Sequence, residues 1–244
     1  MGWWNLPRIV ARETLDHLAA DDPVAQRSRR DLARVHRAVA TRSIVARGWK
    51  SLLPARLSET PLKVLELGAG DGTLLLGVAR SLEPAWPPVQ LTLLDRLDVV
   101  APATLAAFAD LGWSARVEVI DVLDWAAQDP ASAPRWDLIT TAMFLHHFEG
   151  AQLDAILAAV VSRADRFFVC EPRRTWLTWA MSHFVGALGG NAVTRQDAVL
   201  SVEAGFRDDE LAALWPGAGA VWSSRNFGAG LFSQCLAAQR RELA

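Results

Sequence analysis

The chain has 244 residues, 51% of them hydrophobic, and its 25 basic and 27 acidic residues leave a formal charge of −2. That length supports one sizeable core and excludes two large domains. The near-neutral balance gives no global reason for a nucleic-acid or anionic-membrane partner, and no DNA partner is expected. Cys170 and Cys235 sit in separate apolar stretches without CxxC or Cys/His spacing. They read as buried thiols in a reducing compartment, not as a zinc site.

The opening "MGWWNLPRIVARETL" lacks the continuous apolar core of a signal peptide, and Leu6 stands where a myristoylation signal wants Ser or Thr. The longest mostly apolar run, "WLTWAMSHFVGALGG", is too short to span a bilayer and carries His183. A cytoplasmic location is therefore expected.

From the start to about residue 60 the pattern predicts a helical cap. "DDP" at 21–23 marks a break followed by an N-capped helix with Pro in its first turn. Leu32, Val35 and Val39 give that helix an apolar stripe, while Arg27, Arg29, Arg30, Arg34 and Arg37 make it basic. Such a helix most simply docks on the main domain with its charges in water; a membrane surface or RNA would also suit the charge.

After "ETPLK" short apolar runs alternate with helical segments. Strands are predicted at "KVLEL", "VQLTLLD", "RVEVIDV", "WDLITTAM" and "RFFVCE", with helices at "GTLLLGVARSL", "VVAPATLAAFADLG" and "AQLDAILAAVVSRA". Strands apolar on both faces and separated by helices argue for a parallel sheet covered on both sides, an open α/β fold over residues 61–244. "AVWSSRN" and "FSQCLAA", separated by "FGAGL", predict a closing antiparallel hairpin.

Chemistry concentrates at the strand ends. Ligands of open α/β sheets sit outside the carboxyl ends of the strands, and Gly68, Gly70 and Gly72 fall in the first strand-to-helix turn. The dinucleotide pattern GxGxxG would place its third glycine at Thr73 instead. Glu66, two residues before the loop, suits a ligand carrying an ammonium or sulfonium better than a pyrophosphate. Asp95 ends the second strand, where a carboxylate can accept from two ribose hydroxyls, and Asp121 follows the third, within reach of an adenine amino group. Each acid alone could also cap a helix.

"VLELGAGDGTL", "LLDR", "VIDVLDW" and "WDLITTAMFLHHF" together resemble, in order and spacing, the motifs of class I S-adenosylmethionine-dependent methyltransferases, in particular small-molecule enzymes of the quinone and polyketide type. The resemblance covers residues 63 to about 240. It implies a Rossmann-like, mostly parallel seven-stranded sheet and S-adenosylmethionine as cofactor. By the same resemblance the loop of Gly68, Ala69, Gly70 and Gly72 faces the methionine part, with Glu66 near its amino group. Asp95, followed by Arg96, holds the ribose, Asp121 and Val122 frame the adenine, and Thr141 and Ala142 pass under the sulfonium.

On the acceptor side, "FLHHF" puts His146 and His147 beyond the fourth strand as candidate bases. Strand five ends in "CEPRR", so Glu171 and Arg173 can orient a polar head or bond one another. A helical insertion at about 173–200 supplies Trp179, His183 and Phe184, whose bulk suggests an aromatic or lipid-like acceptor and, through it, peripheral membrane contact. Asn191 and Arg195 follow as lid candidates. No carboxylate-rich metal site stands out, and O-methylation without a metal is expected. An RNA methyltransferase and a non-catalytic scaffold are the alternatives; no Asp/Asn-Pro-Pro stretch or Pro-Cys nucleophile supports base methylation.

Overall fold

A computed structural model describes residues 6–53, 60–82, 86–131, 133–217, 219 and 221–241. The first residues of the expected cap, its last stretch with Arg56, and Ala220 at the start of the expected sixth strand lie outside them.

The described chain starts with an irregular strap over residues 6–14, followed by a single 3-10 turn at Leu15–His17; here the helical expectation fails, because Ile9 N and Thr14 N donate to Glu203 O and Asp197 Oδ1 rather than within the strap. Helix α1 (Pro23–Ala38) starts as predicted, with Pro23 in the first turn and Asp22 accepting from the Val24 amide at 2.7 Å. Helix α2 spans Thr41–Leu52. Alternation then follows: β1 (Leu62–Leu67), α3 (Thr73–Leu82), β2 (Val89–Asp95), α4 (Pro102–Ala109), β3 (Ser114–Val119), α5 (Val122–Ala127), β4 (Leu138–Ala142), α6 (Gly150–Arg163) and β5 (Arg166–Pro172). Beyond β5 come α7 (Trp176–Ser182), a 3-10 turn at Val185–Leu188, α8 (Ala192–Ala204) and α9 (Glu210–Leu214). The hairpin β6 (Trp222–Ala229) and β7 (Ser233–Arg240) closes the fold.

The seven strands form one sheet in the order β3-β2-β1-β4-β5-β7-β6. All pairs are parallel except those of β7 with β5 and β6. The hairpin turn is shorter than expected: β6 runs on through Ala229, and Gly230, at φ 62°, makes the reversal. Strand β3 stops at Val119, two residues before Asp121, because the Asp121 side chain accepts from Leu123 N and starts α5.

Period-two alternation builds a core on each face of the sheet. Val64, Leu91, Leu93, Leu138, Phe168 and Cys170 face α2, α3 and α4. Leu65, Leu67, Leu94, Ile139, Phe167 and Val169 face α5, α6 and α9. Helix α2 is part of the first core: Ile44, Val45 and Trp49 are buried there, and the Trp49 indole N–H donates to Thr140 Oγ1 at 3.2 Å. Burial of such side chains contributes roughly 2 kcal/mol each, so α2 is held as firmly as any helix of the sheet. Strand order reverses direction between β1 and β4, and ligands of open α/β folds bind at such a switch point.

Candidate active site

At that switch point lies a cavity of about 1080 Å³. Its floor is the turn after β1. Gly68, Gly70 and Gly72 all adopt left-handed φ, at 69°, 54° and 72°. A side chain on Gly68 would place Cβ 2.2 Å from the Phe144 ring, whereas the space at Gly70 is open. Gly72 faces Leu93 and Thr104 instead and turns the chain into α3. Glycine is thus needed for different reasons along one loop: close approach at Gly68, bare backbone beside the cavity at Gly70.

The acids lock this loop. Asp95 accepts from Gly70 N at 2.8 Å and Leu97 N at 3.0 Å, while Asp71 accepts from the Thr73 amide and hydroxyl. Glu66, near the end of β1, is buried off the cavity wall, 4% exposed, and its Oε2 has no hydrogen-bond partner. Burial, then the charges of Asp95 and Asp71, push its pKa well above the usual carboxylate range. A cationic group at the loop would relieve both the unpaired oxygen and the repulsion. The site therefore fits a ligand with an ammonium. Asp121 and Val122 stand on the cavity wall with Ile120, and Asp121 spends one oxygen on the α5 cap.

Beyond β4 the chain turns through Ala142, Met143 at φ 56° and Phe144, all on the wall. Thr141 is fully buried behind them, with no hydrogen-bond partner for Oγ1. Glu171 anchors the turn. Fully buried off the cavity wall, it accepts from Phe144 N, Leu145 N and His146 N, and its Oε2 is 2.7 Å from His146 Nδ1.

The adjacent histidines have different environments. His146 is 2% exposed; its Nε2 stands 3.4 Å from Glu13 Oε1, an ion-pair contact without hydrogen-bond alignment. Burial opposes its charge, but Glu13 and Glu171 outweigh burial and raise its pKa to about 9. His147 lies beside it, with ring centroids 4.2 Å apart and the planes tilted by 32°, and its Nδ1 is 3.5 Å from Asp16 Oδ2. Burial and the His146 charge lower its pKa. At neutral pH His146 is an imidazolium and His147 a neutral imidazole that can accept a proton. Glu13, His146 and His147 also form the one cluster of metal-ligating side chains among the described residues, with donor atoms within 4.8 Å.

The strap roofs this region. Asp197 accepts from Thr14 N and Leu15 N at 2.9 Å each, Ile9 N donates to Glu203 O, and Arg8 donates to Phe148 O at 2.9 Å. Glu13 accepts from Ser201 Oγ, and Asp16 pairs with Arg96 at 3.6 Å. The opposite wall comes from α1 and α2. His36 is held to a pKa of about 4 by burial and the Arg42 charge, and Arg42 Nε is buried without a partner at the cavity edge.

Of the residues singled out in the sequence, Gly68, Ala69, Gly70, Asp95, Arg96, Asp121, Val122, Ala142, His146, His147 and Phe184 line the cavity. Several acceptor-side candidates lie elsewhere. Arg173 packs against Gly228 on β6, and Trp179 donates to Glu203 Oε1 at 3.0 Å. His183 is exposed, its Nδ1 2.9 Å from Trp179 O. Asn191 caps α8 through Thr194 N and joins it to Ser28 and Asp31 of α1, and Arg195 packs on Gly186. The polar groups of Trp179, His183 and Asn191 are used to fix α7 and α8 in place. Met181, Val185, Leu188, Ala198 and Val202 supply an apolar wall in their stead. Glu13, Asp16, His36 and Arg42 carried no local sequence signal, because only the folded chain brings them to the glycine loop.

No protein-family model matches the chain, and no curated protein matches it. Solved structures do. It superposes on the plantazolicin methyltransferase BpumL in complex with SAH at TM-score 0.63 and 13% identity, over 91% of this chain and 92% of that one. For the pyocyanin biosynthetic protein PhzM the values are 0.58 and 18%, over 94% and 62%. For the magnesium protoporphyrin IX methyltransferase of Synechocystis PCC 6803 with bound SAM they are 0.51 and 14%, over 93% and 88%. The chain has the fold of these enzymes.

Proposed function

We propose that this protein transfers a methyl group from S-adenosylmethionine to a hydrophobic small molecule, aromatic or quinone- or polyketide-like, with oxygen the favoured acceptor atom. The observation that carries the reading is Glu66: a buried carboxyl group with an unpaired oxygen, two residues before a left-handed glycine turn locked by Asp95. The SAH and SAM bound in the structural neighbours support it.

The bound cofactor supplies a methyl carbon made electrophilic by its sulfonium. The chain's residues then have separable tasks. Glu66 receives the ammonium, Arg42 offers its cation to the carboxylate, Asp95 takes the ribose hydroxyls, and Ile120, Asp121 and Val122 flank the adenine. Methyl transfer is an in-line displacement, so alignment and exclusion of water are the main contributions. The strap and the apolar wall of α1, α7 and α8 exclude water. His147, neutral and on the wall, takes the acceptor proton. His146 positions it, held between Glu171 and Glu13. No metal ion is assigned a role, so EDTA leaves turnover unchanged.

Calorimetric titration with S-adenosylmethionine, its demethylated product and NAD tests the reading, with Asp95→Ala as control. Binding of the first two in the micromolar range, weakened about tenfold or more by the substitution and absent for NAD, is expected, since lost charge-assisted hydrogen bonds cost ~1.5–3 kcal/mol. Binding of NAD alone would replace methyl transfer by redox chemistry. No binding of any of the three would make the protein a scaffold.

A further inference from the structure

Helix α1 has two unlike sides. Leu32, Val35, His36 and Val39 line the cavity. Arg27, Arg30, Arg34 and Arg37 are all exposed, and their spacing of three and four residues puts them on one outer stripe, within roughly 80° of arc. The only acid of the helix, Asp31, is buried and paired with Arg34. Among the described residues no carboxylate forms an ion pair with Arg27, Arg30 or Arg37. In a chain of formal charge −2 the stripe is a local concentration of positive charge.

Arg34 also donates to Gly189 O at 3.2 Å, which ties the stripe to the segment leading out of α7. That segment exposes large apolar side chains: Trp176 at 53%, Met181 at 43%, Phe184 at 70% and Leu188 at 44%. Single exposed apolar residues need no explanation, but these fall within a short stretch, and Met181, Phe184 and Leu188 line the cavity as well. The cavity mouth thus has an exposed apolar rim beside a cationic stripe.

We propose that the α1 arginine stripe and the rim of Met181, Phe184 and Leu188 form a peripheral docking surface for an anionic phospholipid bilayer, through which the cavity receives an apolar acceptor. Cations beside exposed apolar side chains are the composition that holds a protein in the headgroup region, where the charges meet anionic lipid and the apolar groups reach the acyl boundary. An RNA would satisfy the arginines but give no return on inserting Phe184 and Leu188. No helix among the described residues is long and apolar enough to cross a membrane, so the chain lies on the surface. Delivery of the acceptor rests on the methyl-transfer reading; vesicle binding does not.

The test is co-sedimentation of the full chain with vesicles of phosphatidylcholine alone or mixed with phosphatidylglycerol, at low and high salt. Arg27→Gln/Arg30→Gln/Arg37→Gln removes the stripe while sparing Arg34, and Phe184→Ser/Leu188→Ser removes the rim; thermal unfolding and S-adenosylmethionine titration report whether each variant is folded. Salt-sensitive binding to the anionic vesicles is expected, reduced about tenfold or more by the triple change and severalfold by the double one. Equal binding by wild type and triple variant, equal binding to both vesicle types, or no vesicle binding by the folded wild type would overturn the proposal. Salt-sensitive binding of structured RNA, lost in the triple variant, without vesicle binding would assign the stripe to RNA instead. Vesicle binding without cofactor binding would strike the methyl-transfer reading and leave the surface standing.

Discussion

The charge on His146 makes folding stability depend on pH in a way that can be worked out. The ring is 2% exposed between Glu171, 2.7 Å from Nδ1, and Glu13, 3.4 Å from Nε2. Burial alone would lower its pKa, yet the two carboxylates raise it from 6.5 to about 9. A pKa higher in the folded than in the unfolded chain means stabilisation that is complete below pH 6.5 and is lost as the pH rises through about 9. At about 1.4 kcal/mol per pH unit this interval amounts to roughly 3 kcal/mol. Urea unfolding of wild type and His146→Gln at pH 6 and pH 10 measures it. Gln cannot titrate, and measuring both proteins in a His147→Gln background keeps His147, whose pKa the His146 charge lowers, out of the difference. Wild type should therefore lose about 3 kcal/mol more than the variant between the two pH values. Parallel stability profiles would show that His146 is not held as an imidazolium, and the assignment of roles to the two histidines would fall with it.

Gly68→Ala should destabilise the protein by ~2–4 kcal/mol, since it combines a left-handed φ with a Cβ placed against the Phe144 ring. Chemical denaturation checks this; Gly70→Ala, with open space at Cβ, should cost only ~1 kcal/mol and chiefly impair cofactor binding. His147→Gln should lower kcat/KM for a phenolic acceptor by about 100-fold near neutral pH. Because the pKa of His147 lies below 6.5, the wild-type rate should already be on its plateau at neutral pH and fall on acidification. The variant's rate should instead climb with pH as the phenol ionises, and identical pH profiles would exclude His147 as the base.

The sheet and the glycine turn after β1 were legible in the sequence because both are local. Period-two apolar strands, a GxGxG turn and an acid at the end of β2 each occupy a short window, and parallel pairing then brings them together. The acceptor side was read less well for a physical reason. Trp179, His183 and Asn191 looked like pocket residues by composition, but their polar atoms are spent on a helix cap and on bonds within and between helices, and Arg195 packs on Gly186. Glu171 has the same kind of history: its position at the end of β5 suggested a substrate contact, whereas three backbone amides and a histidine surround it. The strap was hardest to foresee. Glu13 meets His146 and Asp16 meets His147 across more than a hundred residues of chain, and no periodicity encodes such a pairing.

That long-range pairing links closure of the site to its chemistry. Glu13 and Glu171 stabilise the imidazolium of His146, and the positive charge of His146 in turn depresses the pKa of His147. With the strap seated, the buried ring is charged and its neighbour is kept neutral, ready to accept a proton. If the strap lifts, His146 loses Glu13 and with it part of the support for its charge, while His147 loses its cover together with Glu13 and Asp16, whose charges raise its pKa. The same contact therefore covers the cavity and ties the strap to the charge of the ring beside the proposed base. In this arrangement the strap does more than cover the cavity: its acid at position 13 joins Glu171 in holding the charge of His146.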